Sequence, residues 1–150
     1  MSLLFGSFCV GTPVARPNFS PNHVEALSLL SLTPNKILSE EEYKALLSTA
    51  CLRLAELGPQ IAAVLRCGHL GACYIDTAAQ ANVSSLTLAD VKWIPAYWSA
   101  DVPGAEGKVV DPTGAGNSFM GGLGAALDQG FSIEEGEHAY RKDLAECDMD

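Results

Sequence analysis

Residues 109–122 read VVDPTGAGNSFMGG, and this glycine-rich turn decides how the rest of the chain is interpreted. A strand-like run at 108–110 leads into the turn, and the small residues over 116–127 predict a helix that ends at Gly130. Glycines let a backbone turn tightly and approach a ligand closely. The first N–H groups of a helix have no intrahelical acceptor and lie at its positive dipole end. The pattern therefore predicts a cradle for phosphate or another oxyanion.

A second interpretation of the same turn is structural, with glycines that serve only the packing of a strand against a helix. The turn lacks the Gly-Lys-Ser/Thr ending of a P-loop. Phe119 stands where a dinucleotide-binding fingerprint has its third glycine, so that motif is also incomplete. From the residues alone, both interpretations stay open.

Length and composition indicate one modest, folded domain. The chain has 150 residues, of which 48% are hydrophobic and 18% are charged, and this composition argues against a disordered protein. The net charge of −9 argues against nucleic acid and against an anionic membrane surface as partners, because phosphates would be repelled. No apolar run has transmembrane length, and the first residues lack the basic segment of a signal peptide.

The cysteines indicate free thiols and not a disulfide framework. Their number is odd, no two form a CxxC pair, and the stretch Cys67-Gly-His69 matches no usual zinc spacing. We expect buried strand thiols and a reducing, cytoplasmic setting. The cysteines are Cys9, Cys51, Cys67, Cys73 and Cys147.

Helices are predicted at three further places. Residues 23–30 form the first, which is entered from a Ser-Pro-Asn stretch. Ser39 and Glu42 form a capping box, and apolar residues at spacings of three and four predict one helix from there to about Leu57. The stretch 132–135, with serine first and glutamate last, caps a final helix.

The strand candidates lie between these helices. The apolar run at 61–65 has the pattern of a buried parallel strand. Gly68 and Gly71 bracket a tight turn, residues 72–75 predict the returning strand of a hairpin, and 91–97 is another short strand candidate. The order of elements predicts an α/β layered domain with a thin sheet. Three aromatic residues are expected at core or rim positions, namely Trp93, Tyr97 and Trp98.

Residues 109–122 resemble the carboxy-terminal signature of the PfkB, or ribokinase-like, carbohydrate kinases, in which a glycine-rich turn runs into a catalytic aspartate. Two further stretches resemble this family in the same order. SPNHVE at 20–25 is similar to its N-x-x-E stretch, and VLRCGHLGA at 64–72 is similar to its strand-turn segment near the nucleotide. The resemblance implies a partial ribokinase-like fold, the carboxy-terminal half of a Rossmann-like αβα sandwich.

The resemblance extends over residues near 18–146. We therefore expect an unassigned segment at 1–17, followed by a truncated PfkB-type kinase domain at 18–150. The half of the family's fold that supplies most sugar contacts and the lid would then be missing.

The resemblance implies ATP-dependent phosphoryl transfer to a sugar-like alcohol with Mg²⁺. Gly114, Ala115 and Gly116 would stabilise charge on the transferring phosphoryl group, and Asn22 and Glu25 would help to place Mg²⁺ and the phosphates. From the residues alone, Asn22 and Glu25 also fit a helix cap with a solvent-facing glutamate, since one helical turn separates them. The nucleotide-binding residues implied by the resemblance are Asn22, Glu25, Arg66, Gly68, Gly71, Asp111 and Thr113.

Two positions depart from the family pattern. Arg66 stands where the family usually has threonine. Asn117 stands at the position of the catalytic aspartate, which takes the proton from the attacking sugar hydroxyl, and a carboxamide cannot accept that proton. Asn117 would still be able to orient a hydroxyl through its carbonyl oxygen. The chain is similar in both features to fungal PfkB-like proteins that carry the same asparagine and an RCGHLGA-like segment.

These features favour an impaired carbohydrate kinase as the leading hypothesis. The alternative is a catalytically inactive nucleotide-binding or assembly protein on the same scaffold, and a third possibility is a fragment without independent stability. An open half-sheet exposes apolar edges and faces, so we also expect a tendency to form homo-oligomers.

Overall fold

The computed structural model describes residues 20–58, 61–78, 83–98, 104 and 113–136. Its helices are α1 (His23–Leu29), α2 (Glu40–Glu56) and α3 (Ala115–Asp128), and its strands are β1 (Ala62–Arg66), β2 (Ala72–Asp76) and β3 (Lys92–Ile94). Residues 133–136 are also helical. Short 3₁₀ turns occupy Gly68–Leu70, Val83–Ser85 and Leu88–Asp90. The strand-like run predicted at 108–110 lies outside the described residues.

The three strands form one sheet in the order β1-β2-β3, and both pairings are antiparallel. The hairpin predicted around the turn at 68–71 is confirmed, with Val64 opposite Tyr74. The prediction that β1 is a parallel strand is wrong for its pairing with β2. A continuous apolar run shows that both faces of a strand are covered, and this does not fix the direction of its neighbours. A parallel contact remains as an isolated bridge between Asn22 and Arg66.

Helices cover both faces of the sheet. Successive side chains of a strand point to opposite faces. Leu65 therefore packs in a cluster with α1 and α2, whereas Val64 packs in a second cluster with Leu123 of α3 and with Ile133. Both strand residues are fully buried. This arrangement confirms the predicted α/β layered architecture.

Capping boxes begin α1, α2 and the helical residues 133–136. The box predicted at Ser39 is confirmed, because its hydroxyl accepts from the Glu42 N–H at 3.2 Å and Glu42 Oε2 accepts from the Ser39 N–H at 2.8 Å. The box predicted at Ser132 is confirmed with Glu135 in the same way. These reciprocal bonds satisfy N–H groups that have no acceptor within the helix. No helix in the described part of the chain combines the length and apolarity that crossing a membrane requires.

At the end of α1, a residue other than glycine adopts the left-handed backbone conformation. The Leu32 N–H donates to the Leu27 carbonyl at 2.8 Å and the Ser31 N–H donates to the Ser28 carbonyl at 3.1 Å, which is the bond pattern of a Schellman motif. Ser31 has a φ of 55° in this motif. The matching position after α3 is Gly130, with a φ of 85°, as predicted from the sequence.

We predict that Ser31→Gly stabilises the chain by about 0.5–1 kcal/mol, since an L-residue pays a steric penalty in the left-handed region that glycine avoids. Urea unfolding followed by tryptophan fluorescence measures the change. Ser28→Gly, at an exposed position inside α1, is the control and should destabilise by a similar amount. If both substitutions lowered the free energy of unfolding equally, the left-handed conformation of Ser31 would be contradicted.

We predict that Glu42→Gln flattens the pH dependence of stability in mild acid. The Ser39 N–H, Lys36 and the Ser39 hydroxyl bind the carboxylate and lower the pKa of Glu42. A lowered pKa in the folded state gives stabilisation that is present above the unfolded pKa and lost as pH falls through the folded one. Glutamine keeps an acceptor for the capping box without the charge.

The free energy of unfolding, measured in urea between about pH 5 and pH 3, should therefore fall less steeply for Glu42→Gln than for the unmodified chain. Glu41→Gln, at an exposed neighbouring position outside the box, is the matched control. A slope that changes equally in both variants would show that the capping box does not carry the effect.

Candidate functional site

A cavity of about 220 Å³ lies between the carboxyl end of β1, the segment after β3 and the start of α3. Five residues that the sequence assigned to a nucleotide site contribute to its wall, and they come from two distant parts of the chain. They are Arg66, Gly68, Gly71, Ala115 and Gly116. The other lining residues are Ala72, Pro95, Ala96, Tyr97 and Phe119. The fold therefore brings together the strand-turn segment and the glycine-rich turn.

Arg66 is the charged residue among the described residues that line the cavity. Its backbone N–H donates to the Pro21 carbonyl at 3.2 Å, and its carbonyl lies 3.2 Å from His23 Nδ1. In the side chain, Nε–H donates to the Ser20 carbonyl at 3.3 Å. Contacts to the start of α1 thus fix both the backbone and the first part of the guanidinium group.

The guanidinium group of Arg66 lies directly against the backbone of Gly116. A Cβ atom added to Gly116 would collide with Nη1 of Arg66, so a side chain at position 116 would displace the guanidinium group from this contact. Gly116 belongs to the first turn of α3, where no side chain caps the helix. A positive side chain and the positive end of a helix dipole therefore meet at one wall of the cavity.

Gly71 lines the cavity at a position where neighbouring backbone leaves no room for a side chain. Its φ of 93° lies in the left-handed region, and a Cβ there would lie 2.6 Å from Ala96 N while also colliding with the Ile94 carbonyl oxygen. The absence of a side chain allows the chain after β3 to pass over the hairpin turn. This close passage places Ala96 and Tyr97 in the cavity wall.

Asn22 and Glu25 form the capping box of α1. Asn22 Oδ1 accepts from the Glu25 N–H at 2.9 Å, and Glu25 Oε2 accepts from the Asn22 N–H at 3.0 Å. Asn22 also lies beside Arg66 in the parallel bridge. Neither Asn22 nor Glu25 is among the residues that line the cavity. Of the two interpretations, the helix cap is the one that the structure shows.

The residues at the cavity do not fit a Mg²⁺ site. Magnesium prefers oxygen ligands and is usually held by one or two carboxylates together with phosphates and water. Among the described residues that line the cavity, no side chain carries a carboxylate or a carboxamide, and the charge present is that of Arg66. Within the described ranges, no group of three His, Cys, Asp or Glu residues is placed to hold a metal ion.

The remaining predicted site residues lie beside the cavity or outside the described chain. Gly114, with a φ of 85°, turns the backbone into α3, and its carbonyl accepts from the Asn117 N–H at 2.9 Å. Thr113, Gly114 and Asn117 are exposed and do not line the cavity. Asp111 is not among the described residues.

Sequence reasoning did not assign the aromatic wall of the cavity to the site. Tyr97 and Phe119 line it, and Tyr97 packs edge-on against Trp98 with ring centroids 4.5 Å apart. Tyr97 was expected only as a core or rim residue. Trp93 follows that expectation, since it packs on the core while its Nε1–H donates to Ser48 Oγ at 3.0 Å. The sequence feature that could have identified Tyr97 is its position just after a strand. Many aromatic residues have such a position, so this feature is not specific.

The thiols in the described part of the chain are buried, as predicted for Cys67 and Cys73. Hydrogen bonding to Cys73, followed by burial, raises the pKa of the Cys67 thiol. Hydrogen bonding to Cys51, together with burial, raises the pKa of Cys73. Such thiols stay protonated and unreactive at neutral pH, so they belong to the core and not to the chemistry of the cavity.

Comparisons with protein-family models, with curated proteins and with solved structures found no match for this chain. The functional assignment therefore depends on the geometry of the cavity and on the sequence pattern around it.

We predict that Gly71→Ala destabilises the chain by about 2–4 kcal/mol, because the methyl group meets the backbone after β3 and the left-handed φ is unfavourable for alanine. Urea unfolding measures the loss. The control is Gly121→Ala inside α3, where no heavy atom lies within 4 Å of the new Cβ and where a gain of about 0.5–1 kcal/mol is expected. Tolerance of alanine at position 71 would rule out this close passage.

Proposed function

We propose that this chain is a ribokinase-like domain that binds nucleotide phosphates at the cavity between Arg66 and α3. The parent activity would be phosphoryl transfer from ATP to a sugar-like alcohol, slowed here by Asn117. The observation that carries the proposal is the convergence of Arg66 with the first turn of α3 at one wall of the cavity. Both parts come from stretches that resemble the PfkB family.

Local charge supports an anionic ligand in spite of the overall charge. The chain carries a net charge of −9, which repels anions at long range. At distances below the Debye length, about 8–10 Å in physiological salt, nearby groups dominate. A guanidinium group next to the positive end of a helix is unfavourable without a counter-charge, and a phosphate group would supply it.

The apolar wall supports an organic group attached to that anion. Tyr97 and Phe119 offer aromatic surface, and Pro95 adds an apolar edge. Aromatic rings stack well on such surfaces. The volume of about 220 Å³ is below the roughly 300–1,000 Å³ that is usual for complete small-molecule pockets. The cavity therefore suits one part of a nucleotide, with the remainder exposed.

Asn117 limits the chemistry that the bound nucleotide can undergo. Its side chain is exposed at the start of α3, one residue after Gly116. A carboxamide has no carboxylate to take a proton from an attacking hydroxyl, and loss of a general base typically costs about 10²–10⁴ in rate. Phosphoryl transfer depends largely on positioning and charge stabilisation, so slow turnover is compatible with this residue.

We predict that Asn117→Asp raises ADP release from ATP by about 10²–10⁴-fold with a suitable acceptor. A coupled ADP-release assay over a panel of sugars and sugar-like alcohols measures it. Ser118→Asp is the matched control, because it adds a carboxylate at the next exposed position of α3 and should give no gain. Absence of turnover in both the unmodified chain and Asn117→Asp would exclude the kinase.

A nucleotide-binding protein without turnover is the second candidate function, and the observation that favours it is Asn117 itself. Such a protein would be stabilised against heat by ATP or ADP, since a ligand that binds only the folded state raises its stability. It would show this stabilisation while Asn117→Asp remains inactive with every acceptor. Thermal unfolding with and without nucleotide separates the two functions.

A further inference from the structure

The cavity carries a single kind of charge, and this determines how a bound polyphosphate would be neutralised. Among the described residues that line it, Arg66 is positive and the others are neutral. A nucleotide brings several negative charges, and these must be offset at the site or in solution. The family resemblance implies that Mg²⁺ does this with the help of Asn22 and Glu25, but in the structure these residues bind each other's backbone in a capping box.

Arg66 is placed to take over this role. Its Nε–H is held by the Ser20 carbonyl, which orients the guanidinium plane while Nη1 extends to Gly116. The ion pairs of the described chain join Lys36 to Glu42, Lys44 to Glu40 and Lys92 to Glu134. Within that part of the chain, therefore, no carboxylate neutralises Arg66. A guanidinium group offers several fixed donors whose geometry matches phosphate oxygens.

From this arrangement we infer that the chain binds nucleotide phosphates without a divalent cation, with the Arg66 guanidinium group supplying the positive charge. The inference rests on the proposed function, because it concerns the same cavity. It goes beyond that function in stating that binding of the phosphates needs no divalent cation.

The test is isothermal titration of ATP into the full chain, once with excess Mg²⁺ and once with excess EDTA. The unmodified chain should bind ATP in EDTA at least as tightly as in excess Mg²⁺, because Mg²⁺ neutralises part of the phosphate charge that Arg66 would bind. Arg66→Thr, which restores the residue that the sequence resemblance predicts, should weaken binding in EDTA by about 10–100-fold, since hydrogen bonds to a charged group are lost. Arg66→Lys keeps the charge without the planar donors and should lie between the two.

Arg53→Thr is the matched control, because it removes an exposed arginine near the end of α2 and should leave the Kd unchanged. Circular dichroism and thermal unfolding check that each Arg66 variant is folded, and Arg66→Lys keeps the test decisive if Arg66→Thr unfolds. Binding by the unmodified chain that needs Mg²⁺ would overturn this inference alone. So would an Arg66→Thr or Arg66→Lys variant that binds in EDTA as tightly as the unmodified chain. No binding of ATP or ADP in either solution would overturn the proposed function as well.

Discussion

The antiparallel pairing of β1 with β2 is the constraint on which the other parts of the structure depend. Both strands are buried on both faces, so their backbone groups must bond to each other and their side chains must fill two separate cores. α1 and α2 cover one face, and α3 with residues 133–136 covers the other. Because the hairpin turn is short, the end of β1 and the start of β2 both reach the same end of the sheet.

That end of the sheet is where the cavity forms. The hairpin places Arg66 at the end of β1, and the parallel bridge to Asn22 brings the start of α1 beside it. α3 packs on the opposite face and begins at the same end, so that Gly116 meets the guanidinium group. Two positive features are thereby held together in a chain of strongly negative net charge. Packing energy from both cores opposes their mutual repulsion.

The capping boxes illustrate how one residue pattern can be interpreted in two ways. A serine or asparagine followed three residues later by glutamate satisfies the first N–H groups of a helix. The pair Asn22 and Glu25 has this spacing, as do Ser39 and Glu42, and both pairs form the same reciprocal bonds. Spacing alone therefore could not distinguish a ligand-binding pair from a cap.

The sequence by itself determined the helices, the hairpin and the glycines of the site. Those features depend on local rules, such as apolar periodicity, capping pairs and turn residues, which act within a few positions. The apolar run of β1 did not by itself show the direction of its neighbours, because burial on two faces produces the same run in either direction. Only the tertiary structure joined Arg66 to Gly116 and added Tyr97 and Phe119 to the cavity. These contacts join segments far apart in the chain, and they are fixed by how helices pack on the sheet and not by local propensity.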